Sequence, residues 1–283
     1  MGLVDLRVIL HLGYPKTASS SLQFGPFKDL ETAGKVSLKT WRKYSDFEHL
    51  DTRPSSALFN RKQIEKSYLD FSKKNLNILS DESFTAPLKL RHLNYGDALV
   101  NPHLFPKMLK DEITQLYGQS IQLDCLVIIR NQASLISSQY VEEYNWKRYQ
   151  NRDLLFDENG ALSLQGFEIY FFHKYLSNLI KLFGKESCCF LLYEDMLGDK
   201  DFFHSKLDNF LDVDPGYFER ALTVSRVNTK VKSKYGTFTK DGKYFVPKFR
   251  EEVLEAITQH FGEDNSRLDE FFPASKLRWY GYI

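Results

Sequence analysis

The stretch HLGYPKTASSSLQ (residues 11–23) follows directly on the apolar run LRVIL (6–10). A buried strand thus runs into a small-residue turn with one lysine, and four hydroxyl residues lead from the turn into a helix. In an open α/β sheet, ligands sit beyond the carboxyl ends of the strands, where loops enter helices. A helix N-terminus there offers N–H groups outside the hydrogen-bond ladder and the positive end of the dipole, which suits a tetrahedral anion. Gly13 is expected to let the chain turn sharply and Pro15 fixes one dihedral. Lys16 supplies a full charge, while Thr17, Ser19, Ser20 and Ser21 supply donors. This is the chemistry of a phosphate or sulfate cradle. The competing reading is a serine-rich helix cap, in which Ser19 or Ser20 satisfies the first turn.

The stretch is not a Walker A loop, which needs G-x-x-x-x-G-K-[ST] and a hydroxyl for Mg²⁺. Lys16 comes three residues after Gly13, and Ala18 stands where another glycine would be expected. No apolar strand ends in a lone aspartate suited to a metal; CLVIIR (125–130) ends on Arg130 instead. An ordinary ATPase or kinase is disfavoured on both counts.

LNILS (76–80), LDCLVIIR (123–130) and CCFLLYE (188–194) join LRVILHL (6–12) as runs apolar at nearly every position. Parallel strands covered on both faces read this way. Helical stretches are expected from about Ser20 and over 61–74, 104–118, 133–150 and 162–184. Strands alternating with helices predict a doubly wound parallel sheet. Beyond residue 200 the pattern reads as helical only, apart from a polar, lysine-rich loop over 225–245. Without repeats, low-complexity blocks or a clear linker, residues 1–283 are read as one domain with a helical C-terminal portion.

A chain of 283 residues with 42% hydrophobic and 15% aromatic content can bury a substantial core. Its formal net charge of +1 provides no global field toward nucleic acid or a membrane surface, so an anionic partner needs a local cluster. The three cysteines, Cys125, Cys188 and Cys189, lie in apolar runs without metal-ligand spacing and read as buried thiols of a reducing compartment. MGLVDLRVIL lacks the architecture of a signal peptide and the hydroxyl residue of a myristoylation site. No segment reaches the ~20 apolar residues of a membrane span. The expectation is a cytoplasmic protein.

Arg130 leaves a buried strand at its C-terminal end, where a charge must be solvated or paired. Its planar fork suits a phosphate dianion. Ser134, Ser137 and Ser138 follow within one or two turns of the next helix, with 134 and 138 on one face. A structural salt bridge for Arg130 and plain capping for the serines are the alternatives.

At this point the residues resemble a known family. GYPKTASSSLQ (13–23) resembles the 5′-phosphosulfate loop of the sulfotransferases that use 3′-phosphoadenosine 5′-phosphosulfate (PAPS), and VIIRNQASLISSQY (127–140) resembles their 3′-phosphate motif. FLLYEDM (190–196) is similar to their late strand with its Tyr-Glu-Asp, and the tail from VLEAITQHF (253–261) to LRWYGY (277–282) is similar to the end of heparan-type and other carbohydrate sulfotransferases. Three separated motifs in the right order span most of the chain. Two departures are visible: Ala18 replaces the usual glycine, with the expectation that alanine tolerates a helical start, and Ser19 and Ser20 replace the usual threonines.

The resemblance implies a P-loop NTPase-like three-layer fold with a central, mostly parallel sheet, and PAPS as co-substrate without a metal. It implies that Lys16, Thr17, Ala18, Ser19, Ser20 and Ser21 hold the 5′-phosphosulfate and that Arg130 and Ser138 hold the 3′-phosphate. By family position Tyr193 approaches the adenine, a buried core tyrosine being the competing reading. A late basic loop, best matched by TKDGKYF (239–245), makes Lys240, Gly242 and Lys243 candidates for the 3′-phosphate as well. Asp-Gly there also fits a solvated turn.

Sulfuryl transfer needs an aligned nucleophile, charge stabilisation at the leaving oxygen and a base for the acceptor's proton. Lys16 is the candidate for the leaving oxygen. NILSDESFTAP (77–87) puts Glu82 beyond a strand end, where the family carries acceptor-side residues, and Glu82 is the candidate base. A solvated carboxylate or a helix N-terminal charge is the alternative. His11 reads as a satisfied core histidine, with His49 and His92 as outside candidates. Trp41, Tyr44 and the stretch 144–153 offer aromatic and polar faces for an acceptor, a carbohydrate or other small molecule. The rival readings are a kinase-like P-loop phosphotransferase and a nucleotide-binding module without catalysis.

Overall fold

The computed structural model describes residues 6–40, 64, 66–85, 104–143, 155–156, 162–164, 167–224, 237–238, 244–245 and 248–283. Its centre is a sheet of five strands: β1 (Leu6–His11), β2 (Val36–Thr40), β3 (Leu76–Ser80), β4 (Ile121–Ile129) and β5 (Cys188–Leu192). The order is β2-β3-β1-β4-β5 and every pairing is parallel. Side chains alternate across a strand, so Val8, Leu10, Leu79, Cys125 and Val127 serve one core while Ile9, Ile78, Leu126 and Ile128 serve the other. Helices cover both faces, making a three-layer α/β fold.

On the second of these faces lie α1 (Ser19–Phe24) and α2 (Pro26–Thr32), which bring Leu22, Phe27 and Leu30 to the core. The opposite face takes α3 (Phe105–Tyr117), α4 (Gln132–Glu143) and α5 (Phe172–Phe183). α5 buries Phe172, Tyr175, Leu176 and Leu179, the stripe that a 3.6-residue period turns inward. After β5 come α6 (Asp195–Gly198), α7 (Lys200–Leu211) and α8 (Tyr217–Val224), and Phe203, Leu207, Leu211 and Phe218 join the second core. The C-terminal part, α9 (Glu251–Ser266) and α10 (Ala274–Trp279), packs on the first face through Val253, Ile257, Phe261 and Leu277. One charged pair sits among the apolar strands: Arg7 Nε meets Asp124 Oδ2 at 2.6 Å across β1 and β4.

Several expectations are corrected. VSLKT (36–40) is a strand with alternating burial, at the edge of the sheet, where one face need not be apolar. The described part of 61–74 forms turns and bends rather than a helix. Its apolar spacing is satisfied through distant partners: the Tyr117 hydroxyl accepts from the Phe71 N–H at 2.8 Å and donates to the Leu69 carbonyl at 2.7 Å. The helix expected over 162–184 starts only at Phe172, after a 3₁₀ turn at Phe167–Tyr170. The Ile169 carbonyl accepts from the Tyr14 hydroxyl at 2.8 Å. Within the stretch 225–245, expected as a polar loop, β6 (Thr237–Phe238) and β7 (Tyr244–Phe245) pair antiparallel.

Cys125 and Cys188 are register partners on β4 and β5; the three cysteines are free, Cys188 only half-buried. Burial pushes the Cys188 and Cys189 thiols up to about 12, so they stay protonated. No helix among the described residues is long and apolar enough to cross a membrane.

Candidate active site

The chain leaves β1 toward β2 on one side and leaves β4 toward β5 on the other. The carboxyl ends of β1 and β4 therefore form a topological switch point, the place where open α/β sheets bind ligands. The Lys16 loop follows β1 and Arg130 follows β4. Glu82 stands beyond β3 and Tyr193 beyond β5, so these four residues line one edge of the sheet.

Between β1 and α1 the backbone takes an unusual course. Lys16 has φ +67° and Ala18 φ +70°, both left-handed conformations that L-residues adopt at a cost of about 1–2 kcal/mol. Ala18 is thus the left-handed residue before the helix and not a helical one, which corrects the expectation drawn from its small side chain. α1 begins without a side-chain cap, and its first ladder bond runs from the Leu22 N–H to the Ala18 carbonyl. The hydroxyls of Thr17 and Ser19 donate instead to the Tyr14 carbonyl, with Ser19 Oγ at 3.5 Å. Both side chains are buried, while Lys16, Ala18, Ser20 and Ser21 are half-buried.

Tyr14 anchors the loop from below. Its ring lies 4.9 Å from Phe172 and 5.4 Å from Tyr175 between centroids, in a fully buried aromatic cluster. Gly13 has no left-handed φ; its contribution is space. A Cβ there would come within 3.2 Å of His11 Nε2 and 3.4 Å of Thr17 Oγ1. The expectation of a glycine needed for a sharp turn is replaced by one of a close approach.

Arg130 is the meeting point of three elements. Nε and Nη2 donate to Ser134 Oγ at 3.0 and 2.7 Å, and Nη1 donates to the Lys16 carbonyl at 3.2 Å. The guanidinium also lies over the Tyr193 ring, 4.6 Å from its centroid, a cation–π contact. Ser134, in the first turn of α4, therefore meets the arginine, and Ser138 lies one turn further on the same face with no hydrogen-bond partner among the described residues. Ser137 donates to the Ala133 carbonyl at 2.7 Å.

Glu82 opens a 3₁₀ turn (Glu82–Phe84) and is only 6% exposed, so it is not the solvated surface carboxylate of the alternative reading. Gln23 Nε2 of α1 lies 3.2 Å from Glu82 Oε2, 3.0 Å from Ser80 Oγ and 3.3 Å from the Ser80 carbonyl. Ser80 Oγ in turn pairs with His11 Nδ1 at 2.7 Å. His11 is half satisfied, contrary to expectation, because its Nε2 is buried with no partner among the described residues. Burial lowers the imidazole to about 4 and keeps it neutral. Gln23 escapes a sequence reading, since a glutamine in the first turns of a helix carries no signal of a carboxylate partner 59 positions away.

Lys240, Gly242 and Lys243 lie outside the described residues, as do Trp41, Tyr44, His49, His92 and 144–153. Among the described residues no group of three or more His, Cys, Asp or Glu is placed to hold a metal ion.

No protein-family model matches the chain, and no curated protein matches it. Among solved structures it is similar to a sulfotransferase from Alicyclobacillus acidocaldarius, at 12% identity and TM-score 0.45 over 93% of this chain and 94% of that one. It is also similar to mouse sulfotransferase SULT7A1 complexed with PAP, at 14% identity and TM-score 0.45 over 98% of this chain and 89% of that one. A third is the sulfotransferase domain of the Synechococcus PCC 7002 olefin synthase, at 13% identity and TM-score 0.38 over 90% and 94% of the respective chains.

Proposed function

We propose that the chain transfers a sulfuryl group from PAPS to a hydroxyl, less often an amine, of an acceptor whose class is a carbohydrate. The observation that carries this reading is Arg130, whose guanidinium joins the end of β4 to the Lys16 carbonyl of the β1 loop. A loop with one lysine and several donors, locked to an arginine on the neighbouring strand, presents two cationic groups to one ligand with two anionic ends. A nucleotide with a 3′-phosphate and a 5′-phosphosulfate has that form. Arg130, Ser134 and Ser138 would hold the 3′-phosphate with Lys240, Gly242 and Lys243; the Lys16–Ser21 loop would hold the 5′ end, and Tyr193 would lie beside the base.

The co-substrate supplies an activated sulfuryl group on a phosphate that is already a stable leaving group. Lys16 neutralises the charge that grows on the bridging oxygen, a contribution on the order of 10²–10³ in rate by analogy with oxyanion donors. Glu82 takes the proton of the acceptor as the new S–O bond forms, and Gln23 orients the carboxylate. The carbohydrate preference is supported by the C-terminal stretch LRWYGY (277–282) and its likeness to carbohydrate sulfotransferases.

Calorimetric titration with 3′-phosphoadenosine 5′-phosphate (PAP), and separately with ATP plus Mg²⁺, tests the reading. The expected result is saturable PAP binding without added metal and much weaker binding of ATP–Mg²⁺. A preference for ATP–Mg²⁺ would overturn it in favour of phosphoryl transfer.

A further inference from the structure

The stretch Arg130–Gln132 is held by residues that do not belong to the loop or helix beside it. Asn131 donates its backbone N–H to Glu194 Oε1 at 2.9 Å and its side-chain Nδ2 to the Gly281 carbonyl at 2.7 Å, while Asn131 Oδ1 accepts the Ser134 N–H at 3.1 Å. Gln132 exchanges two hydrogen bonds with Asn265 of α9, at 2.8 and 3.0 Å. Asn265 also donates to the Tyr282 carbonyl at 3.0 Å. The Tyr282 hydroxyl closes the ring by donating to Glu194 Oε2 at 3.1 Å.

The three residues of Tyr-Glu-Asp divide the work. Tyr193 lies under the Arg130 guanidinium, Glu194 joins Asn131 to Tyr282, and Asp195 accepts from Lys276 Nζ and the Tyr280 hydroxyl, both at 2.9 Å. Tyr282 and Asp195 are buried, and Glu194 is held in a desolvated position that raises its pKa. Gly281 has φ +72°, which lets the chain bend back so that its carbonyl faces Asn131. The bracket thus runs from the last residues of the chain, through Glu194, to the residue beside Arg130.

We infer that the C-terminal segment Lys276–Tyr282, acting through Glu194 and Asn131, is a positioning element of the Arg130 anion site. Arg130 and Ser134 belong to one short stretch whose backbone is fixed on both sides: the Glu194 carboxylate holds the Asn131 N–H, and Asn131 itself caps the turn that carries Ser134. Loosening the bracket lets the guanidinium drift from the Lys16 carbonyl and so weakens recognition of the 3′-phosphate, while the β1 loop keeps its own anchors. The inference rests on the nucleotide reading given above and adds the residues that set its selectivity.

The test compares PAP with AMP, which lacks the 3′-phosphate, by calorimetry on the full chain. Tyr282→Phe removes one oxygen atom and leaves the ring packed, and Glu194→Ala removes the junction. Both should lower PAP affinity about tenfold, in keeping with a weakened hydrogen bond to a charged group, with AMP affinity unchanged. Glu194→Gln should recover most of the loss, since its amide oxygen still accepts the Asn131 N–H. Trp279→Ala, on an 85% exposed side chain of the same segment, should leave both affinities as they are. Variants that keep the wild-type ratio of PAP to AMP affinity would overturn the inference alone. A wild-type chain that does not distinguish PAP from AMP would overturn the nucleotide reading and the inference with it.

Discussion

The loops that follow β1 and β4 carry the two positive side chains of the candidate site, and they are built in opposite ways. The β1 loop is made from its own residues: two left-handed backbone positions, two hydroxyls turned onto the Tyr14 carbonyl, and a glycine whose missing Cβ leaves room for His11. The β4 loop has no residue in the left-handed region and takes its rigidity from afar. Its bonds to Glu194 and Gly281 span 63 and 150 positions of chain. Strain stored locally makes the first loop sensitive to small changes within it, whereas the second answers to changes elsewhere in the molecule.

That contrast is broken most visibly at Lys16. Lys16→Ala should cut sulfuryl transfer by about 10²–10³ while the protein stays folded, measured as PAP release under single-turnover conditions with the acceptor in excess. A variant with unchanged turnover would remove Lys16 from the chemistry.

Acid separates the regions next. His11, beneath the β1 loop, is lowered from 6.5 to about 4 by burial. The folded state therefore holds the neutral imidazole; this stability is complete above about pH 6.5 and is lost as the pH falls toward 4. The loss amounts to on the order of 3 kcal/mol. Denaturant titrations across this range should show the decline in the wild type and a flatter profile in His11→Asn.

Gly13→Ala follows, at about 1–3 kcal/mol of destabilisation for overpacking against His11 and Thr17, read from the urea midpoint. Such a shift is expected in the β1 loop alone. The smallest effect is at Ala18. Ala18→Gly relieves a left-handed alanine but loosens the unfolded chain, so the net gain should be under about 1 kcal/mol. A loss of stability there would mean that the methyl group packs usefully.

The same contrast explains what could be read from sequence. Four strands were legible because they are apolar on both faces, and the β1 loop because its residues are contiguous. β2 escaped because VSLKT alternates polar and apolar residues over five positions, which also describes a loop. Ile64, Tyr68 and Phe71 mimic a helix by their spacing, yet the Leu69 carbonyl and the Phe71 N–H bond to Tyr117. At the site, Lys16, Glu82 and Arg130 could be placed on one sheet edge from strand ends, and Tyr193 by the family resemblance. The choice between Ser134 and Ser138 could not, since both lie on the same helical face and only the rotamer of Arg130 decides which it meets. Gln23, Asn131 and Tyr282 act through partners 59 or more positions away, and nothing near them announces it.

The most direct test of the two-anion site is the affinity of wild type and Arg130→Ala for PAP and for AMP, measured side by side. Wild type should prefer PAP by tenfold or more, in keeping with the roughly 1.5–3 kcal/mol of a charged hydrogen bond, and Arg130→Ala should lose most of that preference with its AMP affinity intact. An Arg130→Ala chain that keeps the wild-type preference for PAP would contradict the assignment of Arg130 to the 3′-phosphate.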